Sequence, residues 1–191
     1  MRKNVIVISG TPGVGKTSIA KMLARKLNGV YLNLTELVLN KKLYVDYDPE
    51  RESYIIDEEK VRKEILKISI KHQDKYVIID SHYGELTPRE VLYKIFVIRC
   101  NPLTLAQRLK ERGWKELKIR ENVQAEILGI CTANAIEEHG EDLVYEIDVT
   151  NKSVNEVVNE ILRLMSEEPK CRKFIDWLSI IPLEKLSTYL T

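Results

Sequence analysis

The segment GTPGVGKT at residues 10–17 constrains the fold of this chain more than any other feature. It follows a short apolar run, VIVIS (5–9), and precedes a stretch whose apolar residues repeat with helical spacing. The pattern G-x-x-x-x-G-K-[ST] in that context is typical of a phosphate-binding loop. Its glycines, Gly10, Gly13 and Gly15, permit a tight backbone path that turns N–H groups inward at the start of a helix. The alternative, a glycine-rich turn with a surface lysine, does not account for the flanking strand and helix.

The side chains at the end of this loop predict how a triphosphate is held. Lys16 can reach the β- and γ-phosphates as a mobile positive charge, and the hydroxyl of Thr17 is the expected ligand of Mg²⁺. Ser18 can add a hydrogen bond to the α-phosphate. The segment therefore predicts a protein that uses ATP and Mg²⁺.

Short apolar runs alternate with helical patterns along the rest of the chain. Five runs rich in Val, Ile and Tyr predict buried strands: VIVIS (5–9), VYLNL (30–34), YVIID (76–80), IFVIR (95–99) and YEIDV (145–149). Between them, apolar residues at helical spacing predict core-facing helices at 17–27 and 57–70, another that Pro102 begins, and a later one that Ser153 caps. This alternation predicts an α/β fold, with a five-stranded parallel sheet and helices on both faces.

Charge and cysteine content exclude several other classes of protein. The 191 residues suffice for one medium domain, and 30 Lys and Arg nearly balance 29 Asp and Glu, so we expect no general polyanion-binding surface. The apolar stretch near the N-terminus is too short for a signal peptide or a membrane span, so we expect a cytoplasmic protein without a membrane partner. Three cysteines, far apart and without a C-x-x-C pair, predict reduced buried thiols rather than a disulfide framework or zinc site: Cys100, Cys131 and Cys171.

A second polar feature is YVIIDSHYG (76–84), which puts Asp80 and His82 where a predicted strand leaves the core. In proteins with a phosphate loop, an aspartate at the end of a second strand orients the Mg²⁺ shell, and Asp80 fits that position. The alternative role of Asp80 is a cap on the next segment. His82 is a candidate catalytic residue, and the alternative is a histidine with a structural role.

Beyond the phosphate loop, the chain carries a set of segments in a characteristic order and spacing: VYLNL (30–34), LYVDYDPE (43–50), IIDEEKV (55–61), VIIDSHYG (77–84) and RGWKELKIRENVQAEI (112–127). With these segments, and with the tripeptides Asp80-Ser81-His82 and Arg112-Gly113-Trp114, the chain resembles the small atypical adenylate kinases that also act as ATPases in maturation of the small ribosomal subunit. The match is to the adenylate kinase isoenzyme six type in its archaeal form, over about residues 4–165. The resemblance implies a P-loop NTPase fold of the nucleoside monophosphate kinase type.

The resemblance also implies a division of the chain. Residues 1–168 would form the kinase domain, with a monophosphate-side insertion at about 33–56 and a lid over ATP at about 111–121. Residues 169–191 would form a C-terminal helical extension. In that family pattern Arg112 closes on the triphosphate, so the resemblance makes it a catalytic and ATP-binding residue.

The lid region is rich in positive charge, independently of any family. A lid over a phosphoryl transfer should supply cations, since negative charge is spread over the γ-phosphate oxygens and the nucleophile in the transition state. The sequence offers several: Arg108, Arg112, Lys115, Lys118 and Arg120. Arg108 and Arg112 are i and i+4 on one helix face. The alternative is a solvated basic helix end, where the helix dipole favours cations.

The acceptor side carries few of the residues that a bound monophosphate prefers. The segment VDYDPERE (45–52) is acidic and offers Arg51, and Arg89 follows a proline further along the chain. Three tyrosines of the insertion either stack on a base or pack against one another: Tyr44, Tyr47 and Tyr54.

Two functions follow, and the resemblance implies that both hold in part. The first is a nucleoside monophosphate kinase that converts ATP and AMP, or another monophosphate, to ADP by positioning and electrostatics. The second is an ATP-hydrolysing assembly factor, in which His82 helps to position water. By resemblance, its partner is a small-subunit ribosomal platform protein with a basic tail, met transiently on pre-ribosomal particles. A kinase of another small metabolite is a third possibility.

The acidic run of the insertion bears on the second function, because it suits a basic peptide better than it suits AMP. It consists of Asp46, Asp48, Glu50 and Glu52. The alternative is that these carboxylates only keep an exposed loop soluble.

The stretch after Met165 lies outside the resemblance. Apolar residues at helical spacing from Phe174 to Leu190, interrupted by Pro182, predict two short helices. They either dock on the parent domain or form a partner or dimer surface.

Overall fold

A computed structural model describes residues 2–49, 53–166 and 174–190 of the chain. The residues outside those ranges include four that the sequence analysis singles out: Glu50, Arg51, Glu52 and Cys171.

The central feature is a parallel sheet of five strands in the order β2-β5-β1-β6-β7, which confirms the predicted fold class. A separate antiparallel hairpin pairs β3 with β4. The strands are β1 (Val5–Ser9), β2 (Val30–Asn33), β3 (Tyr44–Asp48), β4 (Ser53–Ile56), β5 (Val77–Asp80), β6 (Leu92–Arg99) and β7 (Val144–Asp148). Because β1 lies between β5 and β6, the carboxyl end of β5 is next to the end of β1, from which the phosphate loop begins.

Helices connect the parallel strands and cover the sheet. They are α1 (Lys16–Lys26), α2 (Leu34–Lys41), α3 (Glu58–Lys71), α4 (Pro102–Glu111), α5 (Glu116–Ile127), α6 (Ile130–His139), α7 (Val154–Ser166), α8 (Trp177–Ile180) and α9 (Leu183–Leu190). The predicted cap of α7 is present as a capping box, in which Ser153 and Glu156 each accept a hydrogen bond from the backbone N–H of the other. Pro102 is the first residue of α4, as its fixed φ favours.

The region 33–56 contains elements that the sequence analysis did not predict. The strand expected at 30–34 ends at Asn33, because the Asn33 side chain accepts a hydrogen bond from the backbone N–H of Glu36 at 3.0 Å and so begins α2. The acidic tyrosine-bearing segment, treated as a loop, supplies strand β3 of the hairpin. This strand reads YVDYD, and none of its residues is buried, so polar and apolar side chains are both tolerated along it.

The sheet divides the hydrophobic core into two layers. Ile6 and Ile8 of β1 belong to the layer that contains α1, α4 and α7, whereas Val5 and Val7 belong to the layer on the opposite face. This division follows from the two-residue period of a strand, and burial on both faces explains why β1 is apolar throughout.

The two cysteines within the described ranges are free thiols. Cys100 is buried and Cys131 is half-buried. Burial raises the pKa of each thiol to about 11, so both thiols are protonated at neutral pH.

The described part of the C-terminal segment forms the two predicted short helices, α8 and α9. Trp177, Ile181 and Leu186 are buried in the core layer that includes α1 and α7. One face of the segment therefore docks on the parent domain, while Ile180 and Leu183 on its other face are exposed. Within the ranges that the structure describes, no helix is long and apolar enough to cross a membrane.

Candidate active site

The phosphate loop joins β1 to α1 along a path that needs glycine. Gly10, Gly13 and Gly15 have positive φ angles of 130°, 96° and 106°. A Cβ on Gly10 would lie 2.4 Å from the carbonyl oxygen of Ile98 on β6, so no side chain fits there. Gly15 is the cap residue of α1, whose first N–H groups have no partner within the helix. The loop glycines thus form the kind of backbone cradle that suits an anion.

Lys16 begins α1, and its ammonium group turns back onto the loop. Its Nζ donates a hydrogen bond to the carbonyl oxygen of Thr11 at 3.0 Å. Burial lowers the pKa of Lys16, and the nearby Asp80 and Cys131 act in the opposite direction. A partly desolvated ammonium group beside an anion cradle interacts with a phosphate more strongly than it would in water.

Thr17 and Asp80 meet between α1 and β5. The Thr17 hydroxyl donates a hydrogen bond to Oδ2 of Asp80 at 2.6 Å, and the Tyr31 hydroxyl on β2 donates to the same oxygen at 3.0 Å. Asp80 reaches this position because β5 pairs with β1, with Asp80 in register with Ile8. Burial raises the pKa of Tyr31 to about 12, so its hydroxyl stays a donor at neutral pH.

The oxygen atoms of Thr17 and Asp80 have the chemistry that Mg²⁺ prefers, since this hard cation binds hydroxyl, carboxylate and water oxygens. The proton of Thr17 is directed at Asp80, which leaves the lone pairs of the hydroxyl oxygen available to a further partner. Ser18, which the sequence predicts to bind the α-phosphate, is exposed on the first turn of α1. These residues therefore fit a phosphate-bound magnesium ion.

His82 lies two residues beyond Asp80, where its ring packs against the ring of Tyr83 with centroids 3.9 Å apart and planes tilted by 43°. Burial lowers the pKa of His82 to about 4, and the positive charge of Lys16 acts in the same direction. The imidazole is therefore neutral at pH 7. It can donate or accept a hydrogen bond in this region, but it does not add positive charge.

A pocket of about 240 Å³ opens beside His82, with walls from α2, the β3–β4 hairpin and the loop after β5. Tyr54 lines this pocket and packs against Tyr44 and Tyr47, with ring centroids 4.4 and 5.1 Å apart. The lining residues within the described ranges are Leu34, Thr35, Val38, Leu39, Ser53, Tyr54, Ile56, Ser81, His82 and Tyr83. None of these is an arginine or a lysine, so the described wall suits a flat, uncharged group better than a phosphate.

The sequence offers two arginines that could bind an acceptor phosphate, and the structure describes the position of only one of them. Arg51 lies outside the described residues. Arg89 donates a hydrogen bond to the carbonyl oxygen of His139 at the end of α6, and it is not among the residues that line the pocket. The contact of Arg89 is thus one that stabilises a helix end, where cations are favoured.

The region 111–121 spans the last residue of α4, a turn and the first half of α5. Arg112 follows α4, with its backbone N–H donating to the carbonyl oxygen of Leu109 at 3.2 Å and its side chain exposed. Gly113 continues the turn with a φ of 73°. The structure therefore leaves the Arg112 side chain in solvent rather than against the loop that contains Lys16.

Two other cations of this region have contacts of their own. Arg108 lies on α4 and donates to Sγ of Cys100 at 3.5 Å, close to the carboxyl end of β6. Lys118 forms an ion pair with Glu121 at 3.0 Å along α5. Arg108 therefore lies closer than Lys118 to the carboxyl ends of the strands. The ion pair of Lys118 agrees with the alternative interpretation, in which these cations belong to a solvated helix surface.

Sequence reasoning missed residues that contact the phosphate loop from distant parts of the chain. Tyr31 shares the Asp80 carboxylate with Thr17, and the buried Glu126 accepts a hydrogen bond from the hydroxyl of Thr11 at 2.7 Å. Thr11 and Glu126 are 115 positions apart. No sequence pattern signals such a pairing, because it depends on how α5 packs against the loop.

Comparisons with known proteins show which family and which fold the chain shares. Residues 6–129 match the family model described as an AAA domain. A relative from Saccharolobus islandicus, named "Putative adenylate kinase", is 41% identical over 91% of this chain and 87% of its own length. A relative of the same name from Methanocaldococcus jannaschii is 41% identical over 97% of each chain. The crystal structure of shikimate kinase from Bacteroides thetaiotaomicron covers 85% of this chain and 98% of its own, with a TM-score of 0.53 at 16% identity, and shares its fold.

Proposed function

We propose that this chain, which belongs to the adenylate kinase family of its curated relatives, transfers the γ-phosphoryl group of ATP to AMP or to another nucleoside monophosphate. The observation that carries the proposal is the meeting of Thr17 and Asp80 beside the glycine cradle, next to a pocket that can receive an acceptor. A donor site and an acceptor site on either side of the same strand end are what phosphoryl transfer requires.

On the donor side, the cradle of Gly10, Gly13 and Gly15 holds the phosphates through backbone N–H groups. Lys16 exchanges the Thr11 carbonyl for phosphate oxygens, and Ser18 adds a hydrogen bond to the α-phosphate. Thr17 and Asp80 are the residues that would hold Mg²⁺, which when bound offsets negative charge on the phosphates.

On the acceptor side, the pocket beside His82 receives the base of the monophosphate. Tyr54 presents an aromatic ring in the wall, and apolar residues of α2 complete it. The neutral imidazole of His82 orients the attacking phosphate oxygen, or a water molecule, by a hydrogen bond. Without AMP, a water in that position gives ATP hydrolysis.

The remaining parts follow the division that the family resemblance implies. Residues 33–56 form the monophosphate-side insertion, and residues 111–121 form the lid within a kinase domain of residues 1–168, followed by the extension at 169–191. In this proposal Arg112 leaves its exposed position when ATP binds and contacts the γ-phosphate. Its exposure and the turn at Gly113 are compatible with such a movement.

A second candidate is an ATP-driven assembly factor of the small ribosomal subunit, acting in the cytoplasm on pre-ribosomal particles. The observation that favours it is the hairpin, where Val45, Tyr47 and Ile55 are exposed beside Asp46 and Asp48. Apolar side chains between carboxylates suit a basic, extended peptide, such as the tail of the platform protein that the resemblance implies.

One assay separates these functions. ADP formation from ATP and Mg²⁺ is measured with AMP, without AMP and with a basic peptide that corresponds to the tail, for wild type and for His82→Ala. If the protein is a kinase, ADP formation should depend on AMP. If it is an assembly factor, the peptide should stimulate ATP hydrolysis in the absence of AMP.

His82→Ala should lower the stimulated rate at least tenfold, whereas the control His72→Ala, at the opposite end of the sheet, should keep it. If neither AMP nor peptide raises turnover and the His82 substitution is silent, both functions are wrong. The third possibility, a kinase of another small metabolite, would then be tested with other phosphate acceptors.

A further inference from the structure

Glu126 of α5 is a buried carboxylate that connects the phosphate loop to two other parts of the chain. It is 1% exposed. Its Oε2 accepts the hydroxyl proton of Thr11 at 2.7 Å, and its Oε1 accepts the indole N–H of Trp177 at 3.0 Å. Oε1 also accepts the backbone N–H of Cys100 at 3.2 Å. One carboxylate thus joins the loop, the end of β6 and the C-terminal segment.

The negative charge of Glu126 is balanced by Arg99, the last residue of β6. Nε of Arg99 lies 2.8 Å from Oε1 of Glu126, and a terminal guanidinium nitrogen donates to the Glu126 carbonyl oxygen at 2.7 Å. A second buried carboxylate, Glu146, also pairs with Arg99. Burial alone would lower the pKa of Arg99, but the two carboxylates outweigh it and raise the pKa. The guanidinium therefore stays charged and fixes Glu126 in one orientation.

The C-terminal segment contacts this charged cluster through Ile175 and Trp177, and the carbonyl oxygen of Ile175 accepts a hydrogen bond from Arg99 at 3.5 Å. Trp177 donates to Glu126, and the backbone N–H of Ile175 donates to Glu146. The Trp177 ring is 3% exposed in the core beside α5. The segment therefore completes the hydrogen bonds of buried carboxylates, which apolar packing alone would leave with fewer donors.

Thr11 transmits the position of Glu126 to the catalytic lysine. Its hydroxyl is held by Glu126, while its carbonyl oxygen accepts from Nζ of Lys16 at 3.0 Å. Thr11 is 2% exposed, so its side chain does not itself meet solvent or a ligand. A small displacement of Thr11 therefore moves the backbone on which Lys16 and the phosphates depend.

We propose that Glu126 is a positioning residue for the phosphate loop, and that Trp177 of the C-terminal segment sets the affinity of that loop for nucleotide through Glu126. The inference rests on the proposed function only in that the loop binds ATP. The monophosphate pocket makes no contact with this cluster among the described residues, so the effect is confined to the donor side.

The variants separate positioning from mere stability. Thr11→Val removes the hydroxyl at nearly constant volume, whereas Thr11→Ser retains the hydroxyl and removes only the methyl group. Trp177→Phe removes the indole N–H while keeping an aromatic ring. The matched control is Ser69→Ala, which removes another buried hydroxyl hydrogen bond, to Asn4, away from the loop on α3. Thermal unfolding reports the stability of each variant.

Binding of β,γ-methylene ATP with Mg²⁺, measured by calorimetry, tests the proposal without requiring turnover. We expect Thr11→Val to raise the Kd about tenfold, Trp177→Phe about threefold, and Thr11→Ser less than twofold. Ser69→Ala should lower the melting temperature and leave the Kd unchanged. In the double variant Thr11→Val/Trp177→Phe the Kd should match that of Thr11→Val alone, because both substitutions interrupt one path.

A second measurement does not depend on the folding of Thr11→Val or Trp177→Phe, because it uses other variants. Trp114→Phe leaves Trp177 as the sole tryptophan. Addition of the analogue should then change the Trp177 emission, and Thr11→Ser should preserve this change.

The proposal is overturned if Thr11→Val and Trp177→Phe lower the melting temperature as Ser69→Ala does but bind the analogue within twofold of wild type. An analogue-insensitive Trp177 emission would also contradict it. If wild type binds the analogue but forms no ADP with AMP, only the kinase assignment fails. If wild type does not bind the analogue, both the kinase assignment and the proposed role of Glu126 and Trp177 are wrong.

Discussion

The hydroxyl of Thr17 lies 2.6 Å from Oδ2 of Asp80, and this contact ties the first turn of α1 to the end of β5. The same oxygen accepts the hydroxyl of Tyr31 at 3.0 Å. Two neutral donors on one carboxylate oxygen hold the group in place without neutralising its charge. The two donors therefore fix the orientation of the Asp80 carboxylate beside the first turn of α1.

Asp80→Asn tests the charge of this group. The amide oxygen can take the place of Oδ2 and accept both hydroxyls, but the negative charge is lost. We therefore expect magnesium-dependent ADP formation to fall about 10–100-fold, as for other groups that orient metal ligands. The concentration of Mg²⁺ that gives half-maximal rate should rise. Both are measured in a magnesium titration at saturating ATP.

Tyr31→Phe is the matched control, since it removes a hydroxyl from the same oxygen and leaves the carboxylate charged. We expect the magnesium dependence of this variant to change less than about threefold, because the carboxylate keeps its charge and its hydrogen bond from Thr17. Equal effects of both substitutions would contradict a role for the charge of Asp80.

The glycine at the start of the loop gives a second prediction. An alanine at Gly10 would have its Cβ 2.4 Å from the Ile98 carbonyl oxygen and a φ of 130°. We expect Gly10→Ala to displace β6 or the loop, to lower the free energy of unfolding by about 2 kcal/mol or more, and to abolish binding of the ATP analogue. Urea unfolding and calorimetry measure the two effects.

Gly140→Ala separates the two causes of that loss. Gly140 has a φ of 78°, but within the described part of the chain no atom beyond its immediate neighbours lies within 4 Å of the added Cβ. This variant should show backbone strain of about 1 kcal/mol and normal nucleotide binding. If Gly10→Ala resembles Gly140→Ala in both measurements, the close approach to Ile98 is not what requires glycine.

Much of the fold was predictable because local pattern and tertiary structure agree. A buried parallel strand is apolar along its length, so VIVIS identified β1, and helical spacing identified α1 and α3 within a residue or two. The hairpin β3–β4 was missed because its exposed strands lack an apolar face pattern. α2 was missed because Asn33 ends the preceding strand as a cap within an otherwise strand-like run.

The residues of the candidate site were also predictable only in part. Loop residues such as Lys16 and Thr17 are adjacent in sequence, so a motif finds them. Tyr31, Glu126 and Trp177 reach the site through the order of strands and the packing of α5, and no local pattern encodes these distances. The exposed position of Arg112 likewise depends on where α4 ends, and a catalytic role for Arg112 stays a prediction.

His139 at the end of α6 predicts a pH dependence of stability. Its Nε2 lies 3.2 Å from the carbonyl oxygen of Glu85, which can only accept, so Nε2 carries the proton of the neutral ring. Nδ1 is buried without a partner among the described residues. Burial lowers the pKa of His139. Glu138 and the Glu85 carbonyl oppose this effect, and Arg62 and Arg89 add to it.

The sign of the effect follows from proton counting. In the unfolded chain His139 has an ordinary pKa near 6.5, and in the folded state its pKa is lower. Below pH 6.5 the unfolded chain therefore binds a proton more readily at His139 than the folded state does. The contribution of His139 is fully present above pH 6.5 and is lost as the pH falls toward its lower folded pKa. Urea unfolding at pH 7.5, 6.5 and 5.5 should show a steeper loss in wild type than in His139→Gln.

Wild type and His139→Gln share every other titrating group, including His82, so the difference between their slopes isolates His139. Parallel slopes would mean that the ring takes up a proton equally well in the folded and unfolded states. A shallower slope in wild type would reverse the predicted sign.

Arg99 gives the last prediction, because it stands between Glu126 and Glu146 in the core. All three side chains are at most 3% exposed. Arg99→Met removes the cation and leaves two buried carboxylates facing each other, so we expect a loss of about 3–5 kcal/mol in the free energy of unfolding. The midpoint of urea unfolding measures it.

Removing one carboxylate should then restore part of that stability. In Arg99→Met/Glu146→Gln, the glutamine oxygen can accept from the Ile175 N–H in place of Oε2, and the amide NH2 takes the place of Oε1, where it can donate to the Thr132 hydroxyl oxygen. One buried negative charge is then gone. We expect the double variant to be more stable than Arg99→Met, although Glu146→Gln alone is less stable than wild type. This opposite sign is the signature of charge pairing. Additive losses would instead assign the stability to packing of the Arg99 side chain, because packing does not depend on the charge of its neighbour.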